Sequence, residues 1–358
     1  MTMRVVQVLG SSAGGVARHV AQVVTELTAA GDRVLVAGPE AVRPTVLPDG
    51  GHFAPVEITD RPQPGDLAAI RRLAAVCRGA DVVHAHGLRA GALTVLAVRG
   101  RPGRGRPRVV VTLHNLPVGG RAVRGVSAVL GRVVARGADV VLGVSGDLVA
   151  LSRSQGARQA ERALVPAPAR RTPSGTAEQT RAALDLAPGQ PVAVTVARLA
   201  PQKGLDTLVR AAAAVDVPGL VWLLAGDGPL EQDVRAQAEQ AGAPVRVLGR
   251  REDVPELIAA ADVVVSTAVW EGQPLAMQEA LGLGAAVVAT DAGGTREVTD
   301  TAAVLVPVGD AQALAAAVRE VLTDPPRRDG LRAAALARAA QLPTPADVRD
   351  QLHRIYRG

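Results

Sequence analysis

Short, β-branched, almost uncharged runs recur along this chain, and amphipathic stretches separate them. In the first half the runs are Val5–Leu9, Val34–Ala37, Val82–Ala85, Val109–Leu113 and Val140–Val144. In the second they are Val192–Val196, Val221–Ala225, Val245–Leu248, Val263–Ser266, Ala286–Thr290 and Ala303–Pro307. Runs this short with so few polar residues suit strands covered on both faces, as in a parallel sheet. Between them, Val16–Ala30, Asp66–Arg78 and Val126–Arg136 carry apolar residues at helical spacing, and Gly31, Gly79 and Gly137 follow as helix stops. The second half predicts helices over Gly204–Val215, Pro229–Ala241, Val254–Ala261, Pro274–Leu283, Asp310–Leu322 and Arg327–Gln341. Strand and helix in strict alternation mean an α/β protein with doubly wound sheets.

At 358 residues the chain is long enough for two such domains. Residues 166–190 are rich in Pro, Ala, Ser and Thr and read as a connection. This predicts domains over 1–165 and 191–342, a linker over 166–190, and a last helix, within 343–358, with no strand left to follow. An apolar share of 48% against 21% charged residues excludes a disordered chain. No run of about eighteen apolar residues is present to span a membrane, and the N-terminus reads as a first strand. The single cysteine, Cys77, rules out an internal disulfide and fits a reducing cytoplasm. Aromatic residues are 1% of the chain, which leaves no platform for stacking bases, so no nucleic-acid partner is expected.

Charge is unevenly placed: residues 1–160 carry +10 and residues 161–358 carry −4. The excess includes Arg99, Arg101, Arg104, Arg106, Arg108, Arg121, Arg124, Arg132 and Arg136. It reads either as a solvated face or as a field for anions. The anion would be a membrane, such as the inner face of the plasma membrane, or a lipid-linked or phosphorylated acceptor.

The densest stretch is 262–298, read as strand, loop, helix, strand and glycine-rich turn. Glu271 lies in the loop and Glu279 about one turn into the helix, with seven residues between them. Open α/β sheets bind ligands at the carboxyl ends of their strands, and helix N-termini there favour phosphate. Carboxylates repel phosphate but accept hydrogen bonds from hydroxyls. Two carboxylates flanking a phosphate-binding helix start suggest hydroxyls at both ends of a ligand and phosphate between, which describes a nucleotide sugar.

The spacing Glu271-x7-Glu279, followed by Ala280, Gly284 and VVATDAGGTREV, resembles the retaining glycosyltransferases of family four, a group that includes phosphatidylinositol mannosyltransferase-like and glycogen-synthase-like enzymes. VVQVLGSSAGGVARHV at 5–20, VVHAHG at 82–87, VVTLHN at 110–115, ADVVLGVS at 138–145, VARLAPQKGLDTLVRA at 196–211 and LLAGDGPLEQDV at 223–234 extend the likeness over nearly the whole chain, in family order.

The resemblance implies a GT-B fold, two Rossmann-like domains facing a cleft, with the last helix crossing back to the N-terminal domain. It implies a hexosyl transfer that retains anomeric configuration, from a UDP- or GDP-sugar held by the C-terminal domain to an acceptor held by the N-terminal one. By the same resemblance Glu271 faces the transferred sugar and Glu279 the ribose. Gly272, Gln273 and Leu275 offer backbone N–H groups. Arg198 and Lys203, five residues apart, converge on the diphosphate, where fixed cations stabilise the leaving group. His114 lies beside the sugar, with His86 and His19 as weaker candidates for contact. Gly14 and Gly15, in the loop from Ser11 through Ser12 and Ala13, approach the diphosphate or the acceptor. Gly249, Arg250 and Arg251 pack by the base, and Asp227 between Gly226 and Gly228 caps the next helix.

The chain departs from the family pattern at Gln202, where relatives often have Glu, at Gln273, where many carry an aromatic, and at Val165–Pro168, where Pro-Asn-Gly is common. It has no D-x-D motif and no Cys/His cluster of zinc spacing, so a reaction without metal or cofactor is expected. Two rivals are a nucleotide-sugar epimerase on the same fold and a non-catalytic nucleotide-sugar-binding protein.

Overall fold

A computed structural model describes residues 2–11, 14–48, 50–59, 61–100, 105–116, 120–166 and 171–358. Ser12, Ala13, Arg101, Arg104, Ala167 and Pro168 lie outside the described residues. The chain forms two compact units, Met1–Pro166 with Pro343–Gly358, and Ala167–Leu342.

Unit 1 contains β1 (Arg4–Leu9), β2 (Arg33–Gly38), β3 (His52–Pro55), β4 (Val82–His86), β5 (Arg108–Leu113), β6 (Val140–Gly143) and β7 (Ala160–Arg162). All pair in parallel, in the order β3-β2-β1-β4-β5-β6-β7. Unit 2 contains β8 (Val192–Val196), β9 (Val221–Ala225), β10 (Val245–Gly249), β11 (Val263–Ser266), β12 (Val287–Thr290) and β13 (Val304–Val306), again parallel, in the order β10-β9-β8-β11-β12-β13. Each sheet winds outward one way and then the other. The reversal lies between β1 and β4 in unit 1 and between β8 and β11 in unit 2, and such reversals open the crevice that α/β proteins use for ligands.

The expected runs became strands because their valines are covered on both faces; every residue of β4, β6 and β12 is buried. Two hydrophobic layers sandwich the unit 2 sheet, one around Trp222, Leu208 and Leu314 and the other around Leu257, Leu281 and Val287. Trp222 is fully buried, and its indole N–H donates to Thr195 Oγ1 at 3.0 Å. That bond removes the desolvation cost of the buried donor.

Several elements differ from expectation. The helix Leu88–Arg99 carried no helical period because it is apolar nearly all round, with Ala90–Val95, Ala97 and Val98 all buried. The helix Arg121–Gly137 begins five residues before the expected Val126. Gly137 is its last residue, not a left-handed stop; a Cβ there would lie 2.1 Å from Val95 Cγ1, so close packing accounts for the glycine.

The stretch 166–190 is not a simple linker. Thr176 and Gln179 form a reciprocal capping box at the start of the helix Ala177–Ala183. Arg181 from that helix binds the carbonyls of Ala260 and Gln190 and pairs with Asp262, while Leu184 and Leu186 enter the unit 2 core. The low-complexity composition hid these long-range contacts.

The last helix, Pro345–Arg357, starts at a capping box between Thr344 and Asp347 and packs into unit 1. Gln351 bonds the backbone of Leu164 and Arg162, His353 meets Asp32 at 2.7 Å, and Tyr356 is buried.

Candidate active site

In unit 2 the candidate residues gather at the reversal point. The loop after β8 carries Arg198 and ends in a short 3-10 turn, Pro201–Lys203; the loop after β11 carries Glu271. The two loops are laced together. Val269 N–H donates to the Gln202 carbonyl at 2.9 Å, and Thr267 Oγ1 donates to the Lys203 carbonyl at 2.7 Å. Gly204 makes the approach possible. It is left-handed at φ 60°, and a Cβ there would lie 2.1 Å from the Thr267 carbonyl oxygen. Gly293 does the same on the other flank at φ 55°, where a Cβ would fall 2.2 Å from the Glu271 carbonyl oxygen, and Gly294 N–H binds that oxygen at 2.7 Å.

This lacing brings Lys203 Nζ into an ion pair with Glu271 Oε1, with the two side chains 19% and 16% exposed. Lys203 is also the one lysine among 40 basic residues, a signal that spacing arguments overlooked. A compact ammonium at this position, in a chain that otherwise uses arginine, fits a point contact better than a fork. Arg198 is exposed, and its side chain makes no hydrogen bond or ion pair with any described residue.

The helix Leu275–Gly282 follows Glu271 and has no side-chain cap, so its first N–H groups remain available to an anion. Gly272 is buried in the loop before it. Gln273 Oε1 accepts from Gln278 Nε2 at 2.8 Å. Glu279 on the same helix does not stand free: Arg171 Nη2 donates to its Oε1 at 3.1 Å and Arg171 Nη1 to the Glu252 carbonyl at 3.3 Å. Arg171 was missed because it lies in the segment read as linker.

Gly249 ends β10 at a register shift, and its carbonyl accepts from Gly226 at 2.8 Å; Arg250 beside it is exposed. Asp227 caps no helix, since the helix Glu231–Gln240 starts at Leu230 without a side-chain cap. The Gly226–Gly228 turn instead braces the Arg198 loop. Leu199 N–H binds the Asp227 carbonyl at 2.8 Å and Leu230 N–H binds the Leu199 carbonyl at 3.0 Å.

Unit 1 assembles its candidates differently. Gly14, at φ 83°, is the N-cap of the helix Gly15–Ala29, and both glycines are exposed. His19 from that helix, His84 and His86 from β4, and His114 just after β5 form one cluster. Ring centroids lie 5.4 Å apart for His19 and His114, 5.5 Å for His86 and His114, and 4.3 Å for His84 and His86. Burial pushes His19 down to about 4. Burial, with His19 nearby, pushes His84 down to about 3. Burial and the neighbouring rings hold His86 and His114 well below the usual imidazole range. All four rings are therefore neutral at pH 7. Among the described residues, no group of His, Cys, Asp and Glu is arranged to hold a metal ion.

Residues 14–168 match the model of the glycosyl transferase 4-like domain, and residues 176–338 match that of glycosyl transferases group 1. The chain belongs to this glycosyltransferase family. A phosphatidyl-myo-inositol mannosyltransferase of Mycolicibacterium smegmatis is 29% identical over 96% of this chain and 90% of its own length. A 2-deoxystreptamine N-acetyl-D-glucosaminyltransferase of Streptomyces fradiae is 32% identical, but over 45% of this chain and 40% of its own length, so less than half of that relative is matched. Among solved structures, HepE of Anabaena, crystallised with UDP and glucose, superposes with a TM-score of 0.81 at 23% identity over 98% of each chain. Sucrose-phosphate synthase of Thermosynechococcus elongatus gives 0.79 at 20% identity, covering 99% of this chain and 98% of its own. The architecture is the GT-B fold of this glycosyltransferase family.

Proposed function

We propose that the protein is a retaining hexosyltransferase that moves a sugar from a nucleotide diphospho-sugar to a hydroxyl acceptor without a metal or other cofactor. The observation that carries this is the Lys203–Glu271 pair at the sheet reversal of unit 2, with an uncapped helix start and with Arg198, whose side chain has no partner among the described residues. Arg198 and Lys203 bind the diphosphate and stabilise the negative charge that grows there as the sugar leaves. Glu271 releases part of its hold on Lys203 and orients the sugar. Gly272, Gln273 and Leu275 line the phosphate side, Glu279 takes the ribose hydroxyls, and Gly249 and Arg250 flank the base. In unit 1, Gly14, Gly15 and His114 serve the sugar and the acceptor.

The bond from the anomeric carbon to the phosphate oxygen breaks, and the acceptor oxygen bonds the same face. The acceptor proton passes to the departing phosphate oxygen. No protein nucleophile enters, and configuration is retained.

UDP is the first donor base to test, since HepE was crystallised with it, and GDP the second, since a related mannosyltransferase of Corynebacterium glutamicum is described as GDP-mannose-dependent. A thermal-shift screen against UDP, GDP, ADP and their sugars decides the base, because a bound ligand raises the melting temperature. Anomeric analysis of the product tests retention, and conversion of donor to an isomer without acceptor would overturn the transferase reading. Turnover that survives exhaustive chelation supports the metal-free reading.

A lipid-linked acceptor at an anionic membrane surface is supported by the helix Arg121–Gly137. It has four arginines and no acid, and Val123, Val126 and Val129 on it are 48%, 45% and 59% exposed. Among the described residues no helix is long and apolar enough to cross a membrane, so contact would be peripheral. Vesicle flotation is expected to recover the protein with anionic but not zwitterionic lipid, and equal recovery with both would remove the electrostatic part of this reading.

A further inference from the structure

We infer that Tyr356 and Gln7 are positioning residues that fix the tautomer of His114, so that its Nδ1 is presented as an acceptor for a substrate hydroxyl. The inference rests on His114 belonging to the transfer site. The protein's one tyrosine lies near the end of its last helix and is buried, with its Oη against two partners. Gln7 Nε2, at 3.2 Å, can only donate, so the phenol oxygen accepts there. The phenol proton is left for His84 Nδ1 at 2.6 Å. His84 therefore carries its own proton on Nε2 and donates it to Thr112 Oγ1 at 2.7 Å.

The other end of the Gln7 amide sets the rest of the chain. Its Oε1 can only accept, so His86 donates from Nε2 at 2.8 Å. A neutral His86 then has an unprotonated Nδ1, which faces His114 Nε2 at 3.2 Å. That contact requires a proton on His114 Nε2 and leaves Nδ1 with a lone pair. No described residue hydrogen-bonds His114 Nδ1. His19 Nδ1, in the ring 5.4 Å from His114, is buried without a partner.

Every link from Thr112 to His86 is buried, so water does not compete for these bonds. The result is an uncharged subsite suited to a hydroxyl, not to a phosphate. Turning the Gln7 amide over would invert each donor in the chain and put the proton on His114 Nδ1, so the two states are distinguishable.

The test is nitrogen NMR of the full chain with ring-labelled histidine, the His114 signals being assigned by their loss in His114→Asn. The expected result is the Nε2–H tautomer in the unaltered protein; the Nδ1–H tautomer overturns the inference, whether or not the Tyr356 and Gln7 variants fold. Tyr356→Phe and Gln7→Met are each expected to shift His114 towards a tautomer mixture. They should lower kcat by about tenfold, the size of one hydrogen bond, with donor KM little changed. An unchanged tautomer in both variants would overturn the role of Tyr356 and Gln7. Undiminished transfer by His114→Ala would remove the site reading instead, and the inference with it, while the tautomer measurement keeps the two failures apart.

Discussion

The two units share a scaffold and use it in opposite ways. Each has a parallel sheet that reverses direction, and each gathers polar side chains at that reversal. Unit 1 holds all six histidines, four of them in one neutral cluster, whereas unit 2 has none. Unit 2 instead holds the single lysine and places Lys203, Glu271, Glu279 and Arg171 as ions, partly open to solvent. A charged side chain has to be stable without a ligand, and pairing with an opposite charge at partial exposure achieves that. A neutral imidazole tolerates deeper burial, because it needs only hydrogen-bond partners. The difference teaches that this fold fixes where polar groups collect but not whether they are charged.

Substitutions at Glu271 and Lys203 should break the comparison most sharply. Glu271→Ala is expected to lower kcat by about a thousandfold, the upper range for losing one preorganised electrostatic contact. Circular dichroism should be unchanged, and near-normal turnover would place the chemistry elsewhere.

Acid should separate the units next. The unfolded chain protonates its histidines below about pH 6.5, while the buried rings of unit 1 stay neutral, with His19 at about 4 and His84 at about 3. Stability from these rings is therefore full above pH 6.5 and falls as the pH drops towards 4. Each unit of such a shift corresponds to about 1.4 kcal/mol, so the loss amounts to a few kcal/mol per ring. Calorimetry at pH 7 and pH 5 should show the transition of unit 1 moving down while that of unit 2 holds; two transitions shifting equally would contradict the assignment.

Arg198→Ala is a smaller cut. With no side-chain partner among the described residues, it should leave the melting temperature in place and lower kcat by about a hundredfold. A large loss of stability would mean that the side chain has a structural role. Smallest is Arg171→Ala. An exposed ion pair contributes at most about 1 kcal/mol, so freeing Glu279 should tighten nucleotide binding by no more than about fivefold. Calorimetric titration measures it, and weaker binding would instead make Arg171 a ligand contact.

The fold was legible where burial leaves a local period. The strands from Val192–Val196 through Val263–Ser266 and the helix Val254–Ala260 match their sequence patterns almost residue for residue. The helix Leu88–Arg99 was not, because burial all round erases the period. In the site, the residue types were readable from motif order, but their pairings were not. Lys203 meets Glu271 across 68 positions and Arg171 meets Glu279 across 108, and no local pattern encodes such distances. Asp227 looked like a cap because its neighbours are turn residues, yet the turn is committed to bracing Leu199. The rarity of lysine and tyrosine in this chain was a compositional clue to Lys203 and Tyr356 that motif spacing alone did not use.

Because Tyr356 completes the polar interior of unit 1, the histidine cluster closes only when a helix 272 positions beyond His84 has docked against the sheet. Unit 2 has all its segments in hand once residue 342 has emerged, whereas the sheet begun at Arg4 must wait for the final turn of helix.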